Sequence, residues 1–227
     1  MVKKVHFLAY SVERIAYSLK LKRKILFFFI LFFLLSAIRY PLNAIYAAES
    51  LLIDDFEKEG NLAGGRSNTY EKEPSRALAL RTDEEHFGGT GRSLMIKYDK
   101  KAEGGPYGTG GWCGYYTTVR RGAKFFDASG YKTITFQVKG AEGGENFKLG
   151  LADKHWEELD DSVKSDQIIK YLPQGKITKD WQKAVVPLDA FFVDYKELAS
   201  IAICFEGDCF PTGAAKGTVY IDDLILE

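Results

Sequence analysis

The sequence predicts an all-β protein, a sandwich or barrel of short antiparallel strands, set behind a separate N-terminal segment. Three observations predict it. Apolar and polar residues alternate over short runs, glycine clusters separate those runs, and no long stretch has the three-and-four apolar spacing of an amphipathic helix.

The N-terminal segment comes first. Residues 25–38 (ILFFFILFFLLSAI) are apolar except for Ser36, and Lys20, Lys22, Arg23 and Lys24 precede them. A basic region followed by a short apolar run is the pattern of a secretory signal. Crossing a bilayer takes about 20 apolar residues, and Arg39 and Pro41 interrupt this run before then. Small residues at Ala44, Ala47 and Ala48 suit cleavage there; Tyr46 and the long basic region suit an uncleaved signal anchor instead. The expected division is a signal peptide or anchor over 1–48 and one domain over 49–227. Either version delivers the domain to a secreted, periplasmic or cell-surface location, with membrane attachment only if the signal stays uncleaved.

Charge follows the same division. The chain has 31 Lys+Arg and 31 Asp+Glu. Residues 1–47 hold eight of the basic residues and a single acid, Glu13, a net of +7. That leaves 23 basic against 30 acidic residues, a net of −7, on the rest. An acidic body excludes nucleic acid as a partner more firmly than the neutral total does.

Ten strands are expected in the body, over 51–56, 77–81, 93–98, 115–119, 133–139, 147–152, 168–172, 181–188, 200–206 and 218–226. In 133–139, Ile134, Phe136 and Val138 share one face while Thr135, Gln137 and Lys139 share the other. All 22 glycines lie beyond residue 59, mostly between these runs. The polar stretch 60–73 reads as a surface loop, and 188–198 as a turn of helix in a crossover. Export permits disulfides. Cys204 and Cys209 are close enough in sequence to bridge, leaving Cys113 over; three idle thiols are the alternative.

Catalytic strings are missing. There is no GxSxG, no P-loop and no HExxH, since His155-Trp156-Glu157-Glu158 lacks the second histidine. Gly108-Thr109-Gly110-Gly111 precedes a strand rather than a helix. The body's ends carry more information. It opens on Ile53-Asp54-Asp55-Phe56-Glu57 and closes on Ile221-Asp222-Asp223-Leu224, so neighbouring end strands would gather carboxylates suited to a hard cation such as Ca²⁺. Solvated strand ends are the simpler alternative.

A series of strings in order carries a family resemblance: IDDFE (53–57), NLAGG (61–65), GRSLMIKYD (91–99), GWCGYYT (111–117) and FDASGYKTITFQVKG (126–140), then FKLGLAD (147–153), WQKAVVPLDAF (181–191) and GTVYIDDLIL (217–226). The set resembles secreted carbohydrate-binding modules of the galactose-binding-like jelly-roll type, particularly the family 11-like group. That resemblance implies a two-sheet antiparallel β-sandwich (jelly roll), non-catalytic binding of a polysaccharide or glycan, and a structural Ca²⁺. Asp55, Glu57 and Asp222 match the positions that supply its carboxylates.

The sugar-binding residues do not transfer with the resemblance. Sugars present both C–H faces and hydroxyls, so exposed aromatic planes bordered by polar groups are wanted. Trp112, Tyr115 and Tyr116, His155 and Trp156, and Tyr107 in its glycine-rich loop are the candidates. Alternation forbids Tyr115 and Tyr116 from facing the same side. Trp181, ahead of an apolar strand, reads as core. Two other readings stand beside sugar binding. One is a protein-interaction or assembly module on the same fold, similar to the complex I intermediate-associated proteins. The other is a glycoside hydrolase or lyase with its carboxyls among Glu157, Glu158, Asp160 and Asp161. A grooved aromatic-polar surface favours sugar, a flat apolar patch protein.

Overall fold

The computed structural model of the chain describes residues 49–105, 110–120 and 124–227. The signal segment and Tyr107 lie outside the described residues. Among the described residues eleven strands build two antiparallel sheets. The first sheet runs β3 (Arg76–Thr82), β4 (Ser93–Lys100), β11 (Ala215–Leu226), β6 (Thr133–Gly140) and β9 (Gln182–Pro187), with β1 (Leu51–Asp54) also paired to β11. The second runs β2 (Ser67–Glu71), β5 (Cys113–Thr118), β10 (Leu198–Phe205), β7 (Lys148–Asp153) and β8 (Val163–Gln167).

Alternation fills the space between the sheets. Ile134, Phe136 and Val138 of β6 and Val219 and Ile221 of β11 face Leu149 and Leu151 of β7 and Ile201, Ile203 and Phe205 of β10, all buried. Tyr98 stacks on Phe205 with ring centres 3.9 Å apart, and Phe147 meets Phe205 edge-on at 6.0 Å. The three cysteines are buried free thiols. Cys204 stands on the outward side of β10 between inward Ile203 and Phe205, whereas Cys209 belongs to a short 3-10 turn.

Two expectations change. The stretch read as a loop contains β2, and 168–172 is a 3-10 turn over Ile168–Tyr171 while the strand precedes it as β8. Both missed strands are edges of the second sheet, and their sequences (SNTYE and VKSDQ) are polar because little of either face is sealed. The crossover 188–198 has the expected helical turns, two of them and both 3-10, at Leu188–Ala190 and Tyr195–Glu197.

Chain ends and the first long loop are locked by buried polar groups. The Asp54 carboxylate accepts the Phe56 amide at 2.8 Å and the Arg81 guanidinium at 3.0 Å. Their side chains are 1% and 10% exposed. Burial outweighs that arginine and pushes the Asp54 carboxyl up to about 6. Asn61 donates to the Thr117 hydroxyl at 2.6 Å and the Thr118 carbonyl at 2.7 Å, and accepts the Gly65 amide at 2.7 Å, which sews this loop to β5. Arg81→Met leaves a buried carboxylate unpaired and is expected to cost about 3–5 kcal/mol in urea unfolding at pH 7, whereas Asp54→Asn/Arg81→Met recovers most of the loss.

Candidate functional site: a groove on the second sheet

Outward residues of the second sheet form rows that follow from strand register. Asn68, Tyr116, Ala202, Gly150 and Lys164 lie in one row; Thr118, Ser200 and Ala152 lie in the next. Small side chains in the central strands leave a trough about 700 Å³ in volume. Its floor is Ala152, Ser200 and Ala202, with Trp112, Tyr116 and Tyr70 along one side.

Tyr70 owes its position to Gly114. The two are opposed across β2 and β5, and a Cβ on Gly114 would come within 2.7 Å of the Tyr70 ring. Glycine there lets the phenol lie against the strand. Burial, with the Cys204 thiol next to it, pushes the Tyr70 phenol above its ordinary range.

The opposite wall follows β7. Asp153 caps the short helix Lys154–Glu158 by accepting the Trp156 amide at 3.0 Å, and its other oxygen accepts the Asp194 amide at 2.7 Å. The chain then passes through Leu159, Asp160, Asp161 and Ser162, which line the groove with Glu157. Asp160 has φ of 53° and Leu159 is 57% exposed.

Charges on the groove are largely paired. Glu157 is held by Arg120, and Lys164 bridges Asp161 at 2.6 Å and Glu206 at 3.9 Å. Burial opposes the Asp161 charge, yet Lys164 and the Ser162 amide carry its carboxyl below the ordinary range. That direction is wrong for the general acid of a glycosidase, which needs a raised value.

The aromatic candidates separate. Trp112 and Tyr116 line the groove, whereas Tyr115, its side chain 4% exposed, points into the core. Alternation decides it: Cys113, Tyr115 and Thr117 are inward, so Gly114, Tyr116 and Thr118 are outward. His155 and Trp156 are not among the groove-lining residues; their rings meet edge-on at 5.7 Å on a helix whose groove-lining member is Glu157. Trp181 is not core. Gln182, Ala184 and Val186 are inward, so Trp181 falls on the outer side of the first sheet, 6.2 Å from the Phe87 ring and 6.0 Å from the Lys139 ammonium. Sequence reasoning missed Tyr70 because its strand was read as a loop. The signal was its alternation with Asn68 on an edge strand.

At the chain ends, β1 pairs with β11, which places the acidic residues of the two ends near enough to repel one another. Asp222 accepts the Phe87 amide at 2.9 Å, and Glu57 accepts the Arg92 amide at 2.9 Å. Burial, with Asp223 and Glu57 nearby, raises the Asp222 carboxyl to about 6; burial, with Asp55 and Glu57, also raises Asp223. Phe56 and Asp223 both hold left-handed backbone, at φ of 56° and 47°. Among the described residues no three acidic, His or Cys side chains converge on one point, so a cation here would need backbone carbonyls in its shell.

An antiparallel sandwich with an aromatic-walled trough across one sheet defines a β-sandwich module with a surface groove. The chain belongs to the carbohydrate binding domain 30 family, whose model matches residues 54–227. No curated protein matches the chain. Among solved structures it is similar to the family 30 carbohydrate-binding module of the Clostridium thermocellum cellulosomal cellulase Cel9D-Cel44B, with 20% identity, TM-score 0.56, and coverage of 79% of this chain and 97% of that one. The family 11 module of Lic26A-Cel5E from the same organism aligns with 16% identity, TM-score 0.56, and coverage of 79% and 95%. A Clostridium thermocellum family 11 module in complex with a β-1,3-1,4-mixed-linked tetrasaccharide aligns with 16% identity, TM-score 0.55, and coverage of 78% and 94%. At these identities the likeness is one of fold. The resemblance to the family 11-like group therefore holds for architecture, while the matching family model is that of family 30.

The split between the adjacent tyrosines is measurable. Tyr115→Ala opens a core cavity and is expected to cost about 3–5 kcal/mol of unfolding free energy. Tyr116→Ala on the groove stays within about 1 kcal/mol of the parent in the same urea titration.

Proposed function

We propose that the chain binds a polysaccharide without catalysis, in the groove of the second sheet. One observation carries this reading: in a member of a carbohydrate-binding family, Trp112, Tyr116 and Tyr70 border a trough floored by small residues and rimmed by hydrogen-bonding groups. Aromatic planes take the C–H faces of a sugar ring, while Glu71, Ser162, Lys164, Ser200 and Glu206 supply donors and acceptors for its hydroxyls. A grooved surface of this make-up favours sugar over a flat protein partner. The bound tetrasaccharide of the family 11 relative supports a linear glycan as the class of ligand.

The domain works outside the cytoplasm in this reading, supported by the basic cluster Lys20–Lys24 ahead of the apolar run 25–38. It is attached to a membrane only if that segment is retained. A structural Ca²⁺ joins the chain ends. Asp55, Glu57 and Asp222 would hold it, with Asp223 beside them and backbone carbonyls completing the shell. Burial raises Asp222 and Asp223, with repulsion from neighbouring acids adding to it, and the charge of the ion would offset both.

Affinity electrophoresis through gels containing mixed-linkage glucan, xyloglucan, xylan or mannan tests the groove. At least one polymer should retard the protein. Trp112→Ala and Tyr116→Ala should each weaken that retardation by about tenfold or more, and Ala202→Trp, which fills the floor, should abolish it while the fold is kept. Migration indifferent to every polymer defeats the reading.

The calcium has a separate test. EDTA should lower the melting temperature and excess Ca²⁺ restore it, since a ligand bound only by the folded state stabilises it. Asp222→Ala should remove the response. A melting temperature unmoved by EDTA excludes the ion.

A further inference from the structure

The groove wall opposite the aromatic residues is fastened at four places. Asp153 caps the helix Lys154–Glu158, and Arg120 holds Glu157. The Trp156 carbonyl accepts the Leu159 amide at 3.2 Å and the Asp161 amide at 3.0 Å, which closes the turn on itself. Ser162 then rests on Gly150, where a Cβ would come within 2.5 Å of its hydroxyl oxygen. Glycine there lets the loop settle directly on β7.

Those fastenings hold up a leucine. Leu159 lines the groove, is 57% exposed and takes no part in the core. Its separation from the aromatic side suits a sugar ring. Tyr116 stands on β5 and the far wall begins over β7, with β10 between them. Neighbouring strands lie about 4.8 Å apart, so the two walls rise from backbones about 10 Å apart. A pyranose touched on both faces needs about 7–8 Å between the contacting groups, at about 3.5–4 Å for each face. The groove therefore has width for one ring standing on its edge over Ala152, Ser200 and Ala202.

We propose that Leu159 is a specificity-determining residue of the groove, covering the face of a sugar ring that Trp112 and Tyr116 leave bare. This role rests on the groove's taking polysaccharide, as proposed above, and it narrows which sugars fit. A ring with an apolar wall on each side must present C–H bonds on both faces. Pyranoses whose hydroxyls are all equatorial, as in β-linked glucose and xylose, do so. Mannose carries an axial hydroxyl at C2, which would be pressed against one apolar wall without a hydrogen-bond partner. A one-sided aromatic platform makes no such demand, because it can take the face free of that hydroxyl.

Affinity electrophoresis of the full chain through gels of mixed-linkage glucan, xylan or mannan is the test. Glucan or xylan should be bound about tenfold more tightly than mannan. Leu159→Ala should weaken glucan or xylan binding about five- to tenfold and mannan binding less, so that the preference narrows. Leu159→Met, which keeps the apolar bulk, should hold it. With both side chains on one ring, Leu159→Ala/Tyr116→Ala should lose less than the product of the single losses. An unfolding midpoint in urea equal to the parent's separates these losses from a folding defect. A parent that binds glucan or xylan and is weakened by Trp112→Ala, but not by Leu159→Ala, overturns this role and leaves the groove standing. So does a preference for mannan, or single losses that multiply in the double variant. A parent retarded by none of the polymers overturns groove and clamp together.

Discussion

Much of this fold depends on the position of its last strand. β11 lies inside the first sheet, paired with β4, β6 and β1, so the final residues of the chain hold the sheet together rather than trail from it. An interior strand has no free edge, and each of its backbone donors and acceptors needs a partner. Leu51↔Leu226 and Asp54↔Leu224 therefore bring the first strand to the last. The acidic residues flanking both strands are forced together as a consequence. Their burial and mutual repulsion raise Asp222 and Asp223, which is the physical setting a structural cation would relieve.

The second sheet solves a different problem. Its inner face must seal the core, so Ile201, Ile203, Leu149 and Leu151 are large and buried. Its outer face leaves space, with Gly114, Gly150, Ala152, Ser200 and Ala202 at central positions. Small residues at the centre and aromatic ones at the side make a trough out of a surface that would otherwise be flat. The Asp153 carboxylate then fixes the helix Lys154–Glu158 to the Asp194 loop and so sets the far wall. A single buried acid thus positions a stretch of chain whose own sequence is mostly charge.

Legibility in the sequence followed burial. Strands with one sealed face, such as β6 and β7, showed themselves by alternation because the core rejects polar side chains on that face. β2 and β8 did not, since edge strands beside a wet groove are under no such demand. Trp181 was misread for a related reason. An aromatic residue before an apolar strand suggests core, but the parity of Gln182, Ala184 and Val186 sends it outward beside Lys139 and Phe87. Of the aromatic residues singled out for the site, Trp112 and Tyr116 border the groove, and Tyr70 joined them only once its strand was recognised.

By itself the sequence determined the all-β class, the separation of a basic, apolar N-terminal segment from an acidic body, and the rule that Tyr115 and Tyr116 face opposite ways. Those properties are local, set by composition and by the two-residue period of a strand. Tertiary structure alone decided which tyrosine meets the core, that Gly114 accommodates Tyr70, and which sheet carries a trough. Each of those depends on the strand that lies alongside, and strand partners are chosen across dozens of residues by packing and register rather than by neighbouring side chains.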